Sequence, residues 1–430
     1  MGEGVLMDVG YARRDGALVC EGVSLERIAE DVGTPCYVYS ASMIRERYAE
    51  LSGALAPLGA HIHFSVKANS SLAILALLRS LGAGVDIVSG GELHRALLAG
   101  FRGEDIVFSG VGKTREELDA ALAADVGSIN VESEGELVLL QEVAAARGVV
   151  ANVALRVNPN IAADTPHPYT RTGEHGMKFG IPNDRVVEVT RRARDSMPNV
   201  KITGIAAHIG SQIFDPAPYR ATAETLVALK HELEREKLAT ITTLDVGGGL
   251  AVRYENEEHP NVAAYADALR PAADEPGVQL FVEPGRFLVA EAGVLLTRVL
   301  YRKRSGGQDI VITDAGMNDL IRPSLYASHH AVESVRSDAE PSLRANIVGP
   351  VCESGDFFAR DRVITDVAPG DLIALRTTGA YGYVMASNYN SRRRPAEVLV
   401  DGDRYAVITE RERDEDLTRR ETLTPAWREP

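Results

Sequence analysis

Short apolar runs rich in β-branched residues recur from His61 to Glu283, and longer stretches rich in Ala, Leu and Glu lie between them. The runs are His61–Val66, Val85–Ser89, Asp105–Ser109, Ser128–Val131, Ala151–Val157, Thr203–His208, Thr242–Val246 and Val278–Glu283. Segments such as Leu72–Leu81 and Gly91–Ala99 carry apolar residues at helical spacing. Strands that alternate with helices imply βαβ units and a parallel sheet. Eight units predict an α/β fold, a closed (β/α)8 barrel of the TIM type.

The pattern changes on either side. Strand-like pieces there are Gly293–Tyr301, Asp309–Thr313, Asn346–Val351, Leu372–Arg376 and Glu397–Val400. Turn signals punctuate them: Ser305-Gly306-Gly307, Pro369-Gly370 and Asp401-Gly402. They predict a mainly β domain. Gly10–Gly22 reads as a hairpin that joins it, with Ala17–Val19 as a strand after Asp15-Gly16. The expected organisation is an N-terminal segment over residues 1–35, a barrel over 36–288 and a β-sandwich or barrel-like C-terminal domain over 289–430. Arg392-Arg393-Arg394 reads as a solvated turn, and the charged tail from Arg411 is expected to fray.

Polar and glycine residues gather at the C-terminal ends of the expected barrel strands. Lys67 follows the first. Asp86 lies in the second, with Glu92 just beyond. Asn158 follows the fifth. His208, Gly210 and Ser211 end the sixth, Gly247-Gly248-Gly249 the seventh, and Glu283, Gly285 and Arg286 the eighth. Barrels of this kind carry their active sites on that rim, so the constellation points to an enzyme.

Composition narrows the partners. A formal net charge of −15 repels nucleic acid and anionic membranes, and neither is an expected partner. No apolar run reaches the length of a membrane span. The N-terminus lacks a basic stretch followed by an apolar one, so no secretory signal is expected. Cys20, Cys36 and Cys352 make an odd number of cysteines in a long chain, which suits a reducing cytoplasm better than a disulfide framework. No His/Cys/Asp cluster has metal-ligand spacing, and no metal is expected.

Each candidate has two readings by itself. A lysine leaving an apolar strand toward a barrel mouth suits a Schiff-base nucleophile, or it snorkels into solvent. Three glycines after a strand cradle a phosphate, or they form a plain tight turn. Glu283 beside them suits a protonated pyridine nitrogen. His208 fits against a flat cofactor, or it is a satisfied core histidine. Cys352, beside Glu353 and Gly355, is a proton donor or an inert small hydrophobe. Arg322 and Tyr326 bind a carboxylate, or the arginine makes a surface ion pair.

Several segments are more specific than any single residue: Ser65-Val66-Lys67-Ala68-Asn69-Ser70, His208-Ile209-Gly210-Ser211-Gln212, Glu283-Pro284-Gly285-Arg286, Asp314-Ala315-Gly316-Met317-Asn318-Asp319, Cys352-Glu353-Ser354-Gly355-Asp356 and Gly379-Ala380-Tyr381-Gly382. Together they resemble the fold type III pyridoxal-phosphate decarboxylases, and within them the diaminopimelate decarboxylases, from Gly33-Thr34-Pro35 to Gly402. The resemblance implies the barrel and β domain of alanine racemase and ornithine decarboxylase, with pyridoxal 5'-phosphate as cofactor. By matched position, Lys67 would bind the cofactor covalently, His208 would stack on its ring and Glu283 would keep its ring nitrogen protonated. Asp86 and Glu92 would support the lysine and ring, and Arg156 is a supporting arginine. Ser211, Gly248, Gly249, Gly285 and Arg286 would surround the phosphate, with Tyr381 closing it. Arg286, Arg322, Tyr326, Glu353 and Tyr381 would recognise the substrate.

The same resemblance implies a homodimer, with Cys352 and Glu353 supplied by a second subunit and Cys352 as the acid that reprotonates the product. The implied reaction converts meso-2,6-diaminopimelate to L-lysine and CO2, the last step of lysine biosynthesis. The alternative is a decarboxylase of a related amino acid, of the ornithine or arginine type or from specialised metabolism. His167-Pro168-Tyr169-Thr170-Arg171-Thr172-Gly173 resembles the diaminopimelate group except at Thr170 and Arg171, and Ser328-His329-His330 is atypical.

Overall fold

The computed structural model describes residues 10–165, 167, 172–173, 176–336 and 339–428. The chain forms two compact units, one within residues 43–291 and one from the segments up to Ser42 and from Ala292 onward.

The first unit is a barrel. Its strands are β1 (His61–Ser65), β2 (Gly84–Ile87), β3 (Ile106–Phe108), β4 (Ser128–Val131), β5 (Ala151–Asn158), β6 (Val200–Ala206), β7 (Thr243–Asp245) and β8 (Gln279–Val282). Each pairs in parallel with the next, and β8 returns to β1 through Phe281↔His61 and Val282↔Ile62, so the sheet closes. All eight lie at the runs read from the sequence. Their apolar side chains, such as Phe64, Val85, Phe108, Leu155, Ile205 and Leu244, are buried completely. Each such side chain stabilises the fold by about 1.5–3 kcal/mol relative to exposure. Helices Gly90–Leu98, Arg115–Ala123 and Glu134–Arg147 begin where Ser89, Thr114 and Ser133 accept a backbone N–H of the first turn. These caps set where each crossover leaves the rim, at about 1 kcal/mol apiece.

In the second unit the long strand Gly293–Ser305 pairs antiparallel with Cys36–Ser40, Gln308–Thr313 and Leu372–Leu375. Cys36–Ser40 continues into Ala396–Asp401 and then Arg404–Thr409, while Gln308–Thr313 continues into Leu343–Val348 and Phe357–Ile364. Tyr11–Arg14 and Ala17–Cys20 form the expected hairpin. Cys20, Leu25, Ile28, Cys36, Val38, Leu296 and Val398 share one core. Burial pushes the thiols of Cys20 and Cys36 up, the latter to about 12, so both are inert packing groups.

Among the described residues several strands had no signal in the sequence: besides the short Val23–Ser24, Ile181–Pro182 and Val332–Ser334, these include three longer ones. Cys36–Ser40 is buried along its whole length and has no flanking periodicity. Phe357–Ile364 is studded with charge because part of it faces water. Arg404–Thr409 is mostly exposed. The basic triplet is corrected too. Arg392 donates to the Asp314 carbonyl at 2.5 Å and to Asn318 Oδ1 at 3.2 Å, and Arg394 pairs with Glu412 at 2.5 Å. Arg411 and Glu412 are half-buried, so the tail is anchored at its start instead of fraying there. Among the described residues no helix is long and apolar enough to cross a membrane.

Candidate active site

Lys67 lies in the single turn Val66–Ala68 that leaves β1. Its Nζ is 2.8 Å from Asp86 Oδ2 and 3.2 Å from Ser65 Oγ. Asp86 is fully buried in β2. Burial would raise its carboxyl, but the Lys67 ammonium and the hydrogen bonds from Lys67, Ser109 and Ser65 outweigh it and hold the group below its usual range. The lysine is therefore directed at Asp86, with 33% of its side chain exposed.

Glu283 follows β8, with Oε1 at 3.4 Å from Ser109 Oγ, which accepts from Asn130 Nδ2 at 3.0 Å. Burial, then Asp245 and Asp86, push the Glu283 carboxyl well above its usual range. Asp245, buried in β7, is raised to about 6, mainly by burial. Asp245 Oδ1 accepts the Gly247 N–H at 2.8 Å, and its charge is one of the causes that raise Glu283, so the Glu283 carboxyl favours its protonated form. The sequence reading missed Asp245. Its signal was an acid inside the apolar run before the glycines.

The glycine run closes around His208. An added Cβ at Gly248 would stand 2.0 Å from the Glu283 carbonyl oxygen, and one at Gly249, where φ is +106°, 2.4 Å from the Gly210 carbonyl oxygen. Gly248 N–H donates to His208 Nδ1 at 3.0 Å, which leaves the ring proton on Nε2. Burial, then Lys67 and Arg156, lower His208 to about 3. The imidazole is neutral and flat-lying chemistry costs it no charge repulsion. Arg286 donates to Ser211 Oγ at 3.1 Å and to Tyr254 Oη at 2.6 Å. Backbone without Cβ, a hydroxyl and a guanidinium thus meet on the rim after β6, β7 and β8, a donor set suited to phosphate. A buried acid for a ring nitrogen and a strand-end amine complete what pyridoxal phosphate requires, and the residues present fit it. Gly248→Ala is expected to lower stability by about 2–4 kcal/mol and to weaken cofactor retention. Thermal denaturation and equilibrium dialysis against the cofactor check both.

Two supporting residues have visible work. Glu92 Oε2 accepts the Val88 N–H at 2.7 Å, and burial raises its carboxyl to about 7. Arg156 pairs with Glu132 at 2.8 Å and packs over Phe179. Glu132 was missed by the sequence reading. It also accepts Gly110 N–H at 2.9 Å and Gly180 N–H at 3.2 Å, which joins three rim loops.

In the β unit, Arg322 is buried and its guanidinium lies 5.8 Å from the Tyr326 ring and 6.0 Å from the Tyr381 ring. A surface ion pair is ruled out for it. Ser328 Oγ accepts from Arg322 at 3.2 Å, and His330, fully buried, meets the Arg376 carbonyl at 2.8 Å through Nδ1. Of the atypical Ser328-His329-His330, Ser328 backs Arg322, while His330 holds the backbone at Arg376. Cys352 and Glu353 are exposed on a tight turn. Pro168, Tyr169, Thr170 and Arg171 lie outside the described residues. Among the described residues no His, Cys, Asp and Glu group is arranged to hold a metal.

The profile for "Pyridoxal-dependent decarboxylase, pyridoxal binding domain" matches residues 41–290 and defines the class of this barrel. The chain is 48% identical over 415 residues to the diaminopimelate decarboxylase of Pseudomonas aeruginosa, covering 96% of this chain and 99% of that protein. It superposes on the diaminopimelate decarboxylase of M. jannaschii in co-complex with L-lysine with a TM-score of 0.91 at 36% identity, over 97% and 99% of the two chains. For the Helicobacter pylori diaminopimelate decarboxylase complexed with L-lysine the TM-score is 0.87 at 39% identity, over 92% and 98%. The chain belongs to the diaminopimelate decarboxylase family.

Proposed function

We propose that this protein removes the carboxylate from the D-centre of meso-2,6-diaminopimelate and releases L-lysine and CO2. One observation carries the reading. Lys67, Asp86 and Glu283 converge at the ends of β1, β2 and β8 in a chain that is 48% identical, nearly end to end, to a diaminopimelate decarboxylase.

Lys67 would anchor pyridoxal 5'-phosphate, Glu283 would meet its ring nitrogen, His208 would lie on its ring, and Ser211, Gly248, Gly249, Gly285 and Arg286 would hold its phosphate, with Tyr381 as a further phosphate ligand. When bound, the cofactor supplies the sink for the electron pair that the departing carboxylate leaves behind. Asp86 keeps the Lys67 amine directed. A cationic ring nitrogen opposite Glu283 would stabilise its carboxylate form, which burial otherwise disfavours. Neutral His208 excludes water without adding positive charge. Arg322 and Tyr326, already one cluster, suit the distal carboxylate of the substrate, and Glu353 its distal ammonium. Cys352 is the acid that returns a proton to the carbon that lost CO2.

The working assembly is a homodimer, with Cys352 and Glu353 serving the partner's site. Their exposure on a fixed turn supports this. A reducing, cytoplasmic setting is supported by three free cysteines.

CO2 release from meso-diaminopimelate, measured beside L-ornithine, L-arginine and L-lysine, tests the substrate. Release is expected from meso-diaminopimelate alone, with lysine as product. Release from another amine in its place would overturn the assignment while keeping the fold.

A further inference from the structure

The segment Asp314–Asp319 stood out in the sequence, yet no step above uses it. It follows strand Gln308–Thr313 and fastens two turns. On one side, Met317 N–H donates to Asp356 Oδ1 and Val351 N–H to Asp356 Oδ2, both at 2.6 Å. Asp356 thereby folds residues 351–356 into a closed turn, tightened by Asp356 N–H on the Glu353 carbonyl at 3.1 Å. On the other side, the Asn318 carbonyl accepts Ser387 N–H at 2.8 Å. Arg392 then ties back to Asn318 Oδ1 and the Asp314 carbonyl.

The two turns meet through Tyr389 and Asn390. Asn390 Oδ1 accepts the Cys352 N–H at 2.9 Å, and Tyr389 Oη donates to Glu353 Oε2 at 3.0 Å. Asn390 and Ser391 hold φ of 58° and 53°. That left-handed backbone is uncommon outside glycine and asparagine, and it persists only where the surroundings fix it. All four side chains are exposed, so core packing does not explain this expense.

We propose that Asn390 and Tyr389 are positioning residues for decarboxylation: Asn390 sets the backbone from which the Cys352 thiol is aimed, and Tyr389 orients the Glu353 carboxylate toward the substrate's distal amine. The inference rests on the roles given above to Cys352 and Glu353.

The test uses the cofactor-loaded protein, with kcat and KM for meso-diaminopimelate measured for Asn390→Gly, Asn390→Asp and Tyr389→Phe beside Cys352→Ala. Asn390→Gly keeps the left-handed backbone but deletes the acceptor, and Asn390→Asp keeps both. The expected result for Asn390→Gly is about a tenfold fall in kcat, the scale of one lost hydrogen bond, with KM unchanged and recovery in Asn390→Asp. Tyr389→Phe is expected to raise KM about tenfold at constant kcat, the scale of a bond to a charged group. Wild-type kcat in Asn390→Gly, with Cys352→Ala inactive, overturns the proposal while the cysteine's role stands. Equal losses in Asn390→Gly and Asn390→Asp overturn it as well, because the acceptor would then not matter. Full activity in Cys352→Ala removes the acid assignment itself.

Discussion

Lys67→Ala is expected to lose turnover by roughly 10⁴-fold or more, the scale for removing a covalent-catalysis residue. The absorbance of covalently held cofactor is expected to vanish with it. The loss has an electrostatic partner. With Lys67 present, the Asp86 carboxyl is held below its usual range, so the pair adds stability above the ordinary carboxyl range and loses it as pH falls. Without Lys67, burial, the largest influence on Asp86, is opposed mainly by the hydrogen bonds from Ser109 and Ser65, and its carboxyl rises. The folded variant then holds a proton that the unfolded chain releases, and stability falls as pH rises through and above the ordinary carboxyl range. The variant's Tm against pH should therefore slope downward relative to the parent over that interval. Lys67→Arg returns a cation to Asp86 but not the amine, so it should repair the slope without restoring CO2 release. Turnover in Lys67→Ala near the parent level would remove the central assignment.

Glu283→Gln is expected to cut decarboxylation by about 10²–10³-fold, the usual effect of losing one preorganised charge contact at the reacting system, and yet to keep the cofactor-free fold intact. The reason is that Glu283 is already protonated there. Burial and the neighbouring Asp245 and Asp86 raise its carboxyl, so a neutral amide of the same shape replaces a neutral acid. The cofactor's ring nitrogen, by contrast, needs a carboxylate to hold its proton, and an amide cannot supply that charge. The pH dependence separates these effects. Below the ordinary carboxyl range both folded and unfolded chains hold the Glu283 proton. As pH rises, the unfolded chain releases it first, so the cofactor-free protein loses stability toward neutral pH. Glu283→Gln should remove Glu283's share of that slope and leave the shares of Asp245 and Glu92. Thermal denaturation of cofactor-free protein at several pH values, alongside CO2 release by loaded protein, reads both outcomes. An unchanged slope would show that Glu283 is not the proton holder.

Much of this was legible in the sequence for a local reason. A strand's apolar run and a helix's spacing depend on neighbours a few residues away, so eight strands and the rim residues that end them could be placed before any contact was known. Lys67, His208, Ser211, Gly248, Gly249, Glu283 and Arg286 fell on that rim by position alone. The chemical type of each restricted what the rim could hold.

Other features depended on partners far away in the chain. Cys36–Ser40 becomes a strand because Gly293–Ser305 and Ala396–Asp401 flank it. Asp245 raises the Glu283 carboxyl only because β7 and β8 are adjacent and buried, and burial depends on closure of the whole barrel. Arg392, which reads as solvated in a basic triplet, is claimed by Asp314 and Asn318. Asn390 and Tyr389 gain a role only when two distant turns are fastened to one segment. The sequence by itself determined the barrel, the rim and the kind of chemistry, since these follow from local pattern and residue type. The tertiary structure decided protonation, direction and support, because a charge's neighbours and its desolvation exist only after distant segments have packed.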